Sequence, residues 1–162
     1  WGIQAGGADF LLIGTNTMHK VAPEIEAAID IPLLHIADAT AHRLQADGVT
    51  RVGLLGTRFT MEQDFYKGRL QERFGLEVLV PDDAARERVH RIIYDELCLG
   101  DIRESSQAEY LAIIADLAQA GAQAVILGCT EIALLVGACQ AAVPLYDTTA
   151  IHAEAAVTLA LA

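Results

Sequence analysis

The chain has 162 residues, is 53% hydrophobic and has a mean hydropathy of +0.34, enough to pack a core as one domain or two small lobes. A formal net charge of -11 and a pI near 4.7 argue against a nucleic-acid surface, which needs clustered Lys and Arg. Its apolar runs are broken by charges well before the roughly 20 residues needed to cross a bilayer, so no membrane span is expected.

The opening, "WGIQAGGADF", lacks an initiator Met, a basic stretch and a cleavable apolar segment, and reads as a chain beginning in mid-element. "DFLLIG" is the first predicted strand. It runs into "GTNTMHK", where Thr15, Asn16 and Thr17 set three hydrogen-bonding side chains in succession. They can grip a small polar molecule, or cap the turn, as Asn and Thr often do. His19 reads either as an acid-base group or as a structural histidine.

Pro23 suits the first turn of a helix through "EIEAAI", "PLLHIA" is the second strand, and residues 37–46 form another helix. "TRVGLLG" is the third strand. It leads to Thr57 and Thr60, spaced as an N-cap and first turn, ahead of one helix through "TMEQDFYKGRLQERFG" that stops at Gly75. "LEVLVP" is the fourth strand, followed by helices over 84–97 and 104–120 with "GDIRES" between them. "AQAVILG" and "VPLYDT" are the fifth and sixth, with short helices expected after Cys129 and after Thr148. The runs lack clean alternation, which predicts strands mostly buried on both faces. Tyr66, Tyr94 and Tyr110 fall at helical spacing and read as packing residues.

Alternating strands and helices define an α/β class with parallel sheets covered by helices. "GADFLLIGTNT" from Gly7 and "GAQAVILGCTE" from Gly121 repeat one strand-and-turn, followed at similar distances by "IPLLHI" and "VPLYDT". A looser copy is "GVTRVGLLGT", ending at Thr57. The duplication predicts two similar lobes about an approximate twofold, residues 1–36 with 139–162 and residues 37–138. Their turns would face each other across a cleft at the carboxyl ends of the strands, where such sheets bind ligands.

Cys129 sits between a strand and a helix start, where the helix dipole would lower its pKa from about 8.5 and make the thiolate a base; it can equally be a small packing residue. Gly128 allows close backbone approach, Thr130 can help hold a carboxylate, and Glu131 can touch ligand or favour the helix start. Cys98 and Cys139 carry no motif. Three cysteines without CxxC or His-bracketed spacing fit a reducing compartment, and cytoplasm is the expected location. His35, His42, His90 and His152 have no ligand spacing, so no metal is assigned, and no phosphate or dinucleotide loop occurs.

Together "TNTMHK", "LLGTRFTMEQDFYKGRL", "ELCLG", "LGCTEI" and "DTTAIHAEAAV" resemble the cofactor-independent aspartate/glutamate racemase family, in order over nearly the whole chain. Its L-aspartate/glutamate-specific members, with threonine at the first catalytic position, are the nearest in pattern. The resemblance implies two α/β lobes with the active site between them, a homodimer, a small amino-acid substrate and no cofactor. It implies Cys129 and Thr15 as the acid-base pair on opposite faces of the substrate α-carbon. Asn16, Thr17, Thr130 and Glu131 would contact ligand, with Thr57 and Thr60 as further pocket positions.

Thr15 stands where the family usually has cysteine, and a hydroxyl relays a proton but does not ionise near neutral pH, so the enantiomers should be handled unequally. Cys98 stands where many aspartate racemases have a lysine, which leaves aspartate, glutamate and less acidic substrates open. Relatives begin with a further glycine-rich strand and turn, so an N-terminal part is expected to be missing. Two other readings stay open: a single-thiol decarboxylase or isomerase of the same superfamily, and a silent module that binds amino acids or dicarboxylates.

Overall fold

A computed structural model describes residues 2–162; Trp1, where the expected first lobe begins, lies outside the described residues. The elements in order are α1 (Gly2–Ala5), β1 (Leu11–Leu12), a 3-10 turn (Thr17–Val21), α2 (Ala22–Glu26), β2 (Leu33–Leu34), α3 (Ile36–Ala46), β3 (Arg51–Gly56), α4 (Arg58–Glu62) and α5 (Lys67–Phe74). Then come β4 (Glu77–Leu79), α6 (Asp83–Asp95), a second 3-10 turn (Leu97–Leu99), α7 (Glu104–Gln119), β5 (Ala124–Gly128), α8 (Ile132–Val136), β6 (Leu145–Asp147) and α9 (Thr148–Ala160). Every strand lies within one of the predicted apolar runs.

Among the described residues all strand pairings are parallel: β1 with β2, and a four-stranded sheet in the order β4-β3-β5-β6. The architecture is thus α/β, with parallel sheets flanked by helices. In the larger sheet the chain steps outward from β3 to β4, then crosses back to place β5 on the other side of β3. That reversal leaves a crevice at the carboxyl ends of β3 and β5, where open α/β sheets bind ligands. Val52, Leu54, Leu55 and Val125–Leu127 are buried, as strands covered on both faces must be. The small sheet differs from that expectation: its strands are only half covered and Leu12 is 42% exposed.

Two further differences concern the helices. The helix expected through Gly75 is two, because Gln63 leaves α4 in an extended conformation (ψ 150°) and the turn carries Tyr66 wholly into the core. Burial of that ring outweighs a few helical hydrogen bonds exposed to water. Gly75 does close α5 in the left-handed region at φ 66°. The helix after Thr148 is 13 residues long rather than short, and it packs against α3. In the larger sheet β6 pairs with β5 from Val125–Leu145 to Leu127–Asp147, which brings this part of segment 139–162 beside residues 124–128.

A seam of buried histidines joins the two sheets. His152 of α9 donates Nε2–H to the Leu34 carbonyl of β2 at 2.8 Å, and His35 caps α3 by accepting the Ala37 N–H at 3.2 Å. The His19 ring lies 4.3 Å from His35 and 6.0 Å from His152, centroid to centroid. Beside them Arg69 of α5 forks onto Asp38 of α3, with Nη2 to Oδ2 at 2.7 Å. Burial would raise the Asp38 carboxyl, but the guanidinium outweighs it and holds the carboxyl below its ordinary value.

Burial pulls His19 down to about 4 and His35 down to about 3, with neighbouring positive charge adding to the effect. Both rings therefore stay neutral in the folded chain while the unfolded chain takes up protons near pH 6.5. The stability they contribute is complete above pH 6.5 and is lost as pH falls toward 4 and then 3, at up to about 1.4 kcal/mol per pH unit for each ring. Urea unfolding at pH 7 and pH 5 should show this loss. His35→Asn, which keeps an N-cap acceptor but removes the titrating ring, should make the loss smaller.

Candidate active site

Two strand ends supply the walls of the cleft. The turn after β1 contributes Gly14, Thr15, Asn16 and Thr17, and the turn after β5 contributes Gly128, Cys129, Thr130 and Glu131, around a space of about 260 Å³. A hollow of about 500 Å³ between α1, α2 and β1 is larger, but its walls are mostly apolar, with Ile3, Leu11, Ile25 and Ile31, and it offers no nucleophile. Chemistry, not size, picks the smaller space.

Close approach of β3 and β5 shapes the floor. Gly56 and Gly128 are partners in the register. A Cβ on Gly128 would sit 2.8 Å from the Leu55 carbonyl oxygen and 3.3 Å from Thr60 Cγ2, and one on Gly56 would sit 3.0 Å from the Gly128 oxygen. Only glycine lets these two backbones and Thr60 share the space.

Thr57 caps α4, accepting from the Thr60 N–H. Its hydroxyl bonds that of Thr17 at 3.1 Å and that of Thr60 at 3.2 Å, with Thr17 and Thr60 3.5 Å apart. Thr57 and Thr60 are thus buried behind Thr17, and Thr17 faces the cleft in front of them. Capping and site construction, alternatives in the sequence, are here one arrangement.

Among the described residues, Asn16 makes the side-chain hydrogen bond that spans most sequence. Its Nδ2 donates to Thr148 Oγ1 at 3.0 Å, and Thr148 donates onward to the Leu127 carbonyl at 2.9 Å. The first turn is therefore bonded to the backbone two residues before Cys129. Asn16 is 2% exposed, and its Oδ1 has no hydrogen-bond partner among the described residues. Sequence reasoning did not single out Thr148; the Asp-Thr-Thr run at a strand-to-helix junction was the available signal, since Asp147 caps α9 by accepting from Thr149 and Ala150.

Cys129 reverses one expectation. Burial pushes the thiol up to about 12, and the Glu131 carboxylate adds to this by accepting the Sγ–H at 3.0 Å and by its charge. The backbone N–H of Glu131 opposes only weakly. The helix beyond, α8, has just five residues and starts at Ile132, too short a dipole to offset a carboxylate at contact distance. At pH 8 such a thiol is protonated.

Cys98 is exposed, and burial followed by the charge of Glu131 raises its thiol, which places position 98 within electrostatic reach of this wall. Cys139 Sγ donates to the Leu135 carbonyl at 3.9 Å. Among the described residues no three His, Cys, Asp or Glu side chains converge as metal ligands, and no helix is long and apolar enough to cross a membrane.

Comparison with known proteins places this geometry in context. A family model described as Asp/Glu/hydantoin racemase matches residues 2–156. A solved Yersinia pestis protein, provisionally described as an Asp/Glu racemase, is 56% identical with a TM-score of 0.95 over 99% of this chain and 70% of its own. A solved aspartate racemase homologue from Pyrococcus horikoshii is 33% identical with a TM-score of 0.89 over the same shares. Among curated proteins, the broad specificity amino-acid racemase RacX of Bacillus subtilis is 26% identical over 99% of this chain and 68% of its own length.

Two substitutions test the local geometry. Gly128→Ala should cost about 1–3 kcal/mol in urea unfolding, because its methyl meets a backbone oxygen that cannot move aside. Glu131→Gln removes the charge that helps hold the Cys129 proton. It should speed alkylation of Cys129 by iodoacetamide at pH 8 by about ten-fold, followed by peptide mass spectrometry so that Cys98 is scored separately.

Proposed function

The chain belongs to the Asp/Glu/hydantoin racemase family, and from that premise we propose that it racemises an acidic amino acid, L-aspartate or L-glutamate, without a cofactor. The observation that carries the reading is the meeting of Thr15 and Cys129 in one cleft, each delivered by the end of a strand from a different sheet. Racemisation needs a group on each face of the α-carbon, one to take the proton and one to return it.

Cys129 is the group that takes it. At rest its thiol is protonated and its hydrogen points at Glu131. When the substrate ammonium binds Glu131, the carboxylate charge that raises the thiol is offset and the thiol proton leaves to solvent. The thiolate then removes the α-proton of the L-enantiomer. Thr15, with water, donates to the opposite face and is reprotonated from solvent, and Cys129 ends as a thiol once more. Asn16, Thr17 and Thr130 orient the substrate, and Thr57 and Thr60 hold Thr17 in place. Residues 1–36 with 139–162 and residues 37–138 form the two jaws, joined where β6 pairs with β5, and the working unit is a homodimer.

A protonated resting thiol also suits a decarboxylase of the same superfamily that quenches a carbanion from one side. Turnover of a malonate derivative, with no exchange of amino-acid α-protons, would favour that reading.

L- and D-glutamate, and L- and D-aspartate, incubated separately in D2O test the proposal. The L-enantiomers should exchange their α-proton faster than the D-enantiomers, and Cys129→Ala should lower exchange at least about 100-fold. Thr15→Cys should bring the two enantiomers closer together. Equal exchange of both by the wild-type chain, or exchange that survives Cys129→Ala, contradicts it.

A further inference from the structure

His19 lies in the 3-10 turn just past the cleft and is 1% exposed. Both ring nitrogens are engaged. Nδ1 is 2.8 Å from the Thr15 carbonyl oxygen, and the Ile36 backbone N–H donates to Nε2 at 3.2 Å. A carbonyl can only accept and a backbone N–H can only donate, so the ring is neutral with its proton on Nδ1. Burial favours that state, and so do the groups facing it: His35 lies tilted and His152 edge-on to the ring, and Arg69 bears on it from α5, its charge shared with Asp38.

Each end of the ring holds a backbone group that regular structure leaves open. Residues 14–16 lie beyond the pairing of β1, so the Thr15 carbonyl has no strand partner. Ile36 is the first residue of α3, whose N–H has no carbonyl within the helix to bond. The ring is a strut between the turn that presents the Thr15 hydroxyl and the first turn of α3.

We propose that His19 is the positioning residue for Thr15: its Nδ1–H holds the Thr15 carbonyl, and through it fixes the hydroxyl toward one face of the substrate carbon. The proposal rests on the reading of Thr15 and Cys129 as the two faces. It assigns His19 no contact with substrate and no proton in the reaction. Disturbing it should impair the Thr15 face and leave the Cys129 face working.

Asparagine and glutamine split the strut. His19→Asn puts an amide N–H near the position of Nδ1 and retains the bond to Thr15; His19→Gln puts an amide oxygen near Nε2 and retains only the bond to Ile36. With the full chain and L-glutamate in D2O, chiral separation and mass spectrometry give the ratio of inverted product to total α-deuterium incorporated. His19→Gln should lower that ratio by about ten- to a hundred-fold, the scale of a misplaced catalytic group, while total exchange and the urea midpoint stay near those of His19→Asn. His19→Asn should stay within about three-fold of the wild-type ratio.

An unchanged ratio in His19→Gln, or exchange and inversion falling together, overturns the proposal. If the wild-type chain exchanges no α-proton, the two-face reading fails instead, and 15N NMR of the imidazole still judges the strut. It should show Nδ1 protonated and Nε2 bare down to about pH 5. A proton on Nε2, or a charged ring at pH 6, overturns it.

Discussion

Two hydrogen bonds, Asn16 to Thr148 and Thr148 to the Leu127 carbonyl, set the distance on which this structure depends. They connect the end of the two-stranded sheet to an inner strand of the other sheet, with Asn16 and Thr148 132 positions apart in sequence. All three groups are buried, so the bonds are not exchanged for water and breaking one leaves a polar atom unpaired. The threonine triangle of Thr17, Thr57 and Thr60 supports the same turn from β3, and the glycine pair Gly56 and Gly128 lets β3 and β5 close beneath it. The cleft is thus held from behind by polar contacts and from below by backbone packing, while its open side keeps Thr15, Cys129 and Glu131.

Electrostatics in that cleft store a proton rather than a thiolate. A half-buried thiol beside a carboxylate is held above its ordinary range, which slows oxidation and alkylation of Cys129 until the local charge changes. In the proposed reaction an incoming ammonium would make that change. On that proposal, the acidic residue beside the thiol would serve a site that is inert when empty and basic when filled. The histidine seam applies the same logic: rings kept neutral by burial can accept and donate at once, and so can connect backbone groups that charged rings would repel.

Much of the fold was legible because six apolar runs are separated by well-marked turns, and Gly75 and the Thr57–Thr60 spacing carry their own stop and start chemistry. The break at Gln63 was not, because Tyr66 also fits a helical pattern and only the assembled core shows the pocket that draws it in. The cleft-lining residues were legible as two copies of one strand-and-turn. Their electrostatics were not: Cys129 and Glu131 are two apart in sequence, and whether they meet depends on how the chain turns before α8. His19 illustrates the same limit. A loop histidine declares nothing until its two nitrogens are seen to face a carbonyl and an N–H 17 residues apart from it.

The account stands on Thr15 and Cys129 addressing opposite faces of one carbon. A crystal structure of the full chain with L-glutamate or L-aspartate bound tests this directly. The account predicts an α-carbon between the two side chains, with Thr15 Oγ1 and Cys129 Sγ each about 3.5 Å away on opposite faces and the ammonium on Glu131. A substrate with both groups on one face, or with Thr15 turned away from its α-carbon, would contradict it.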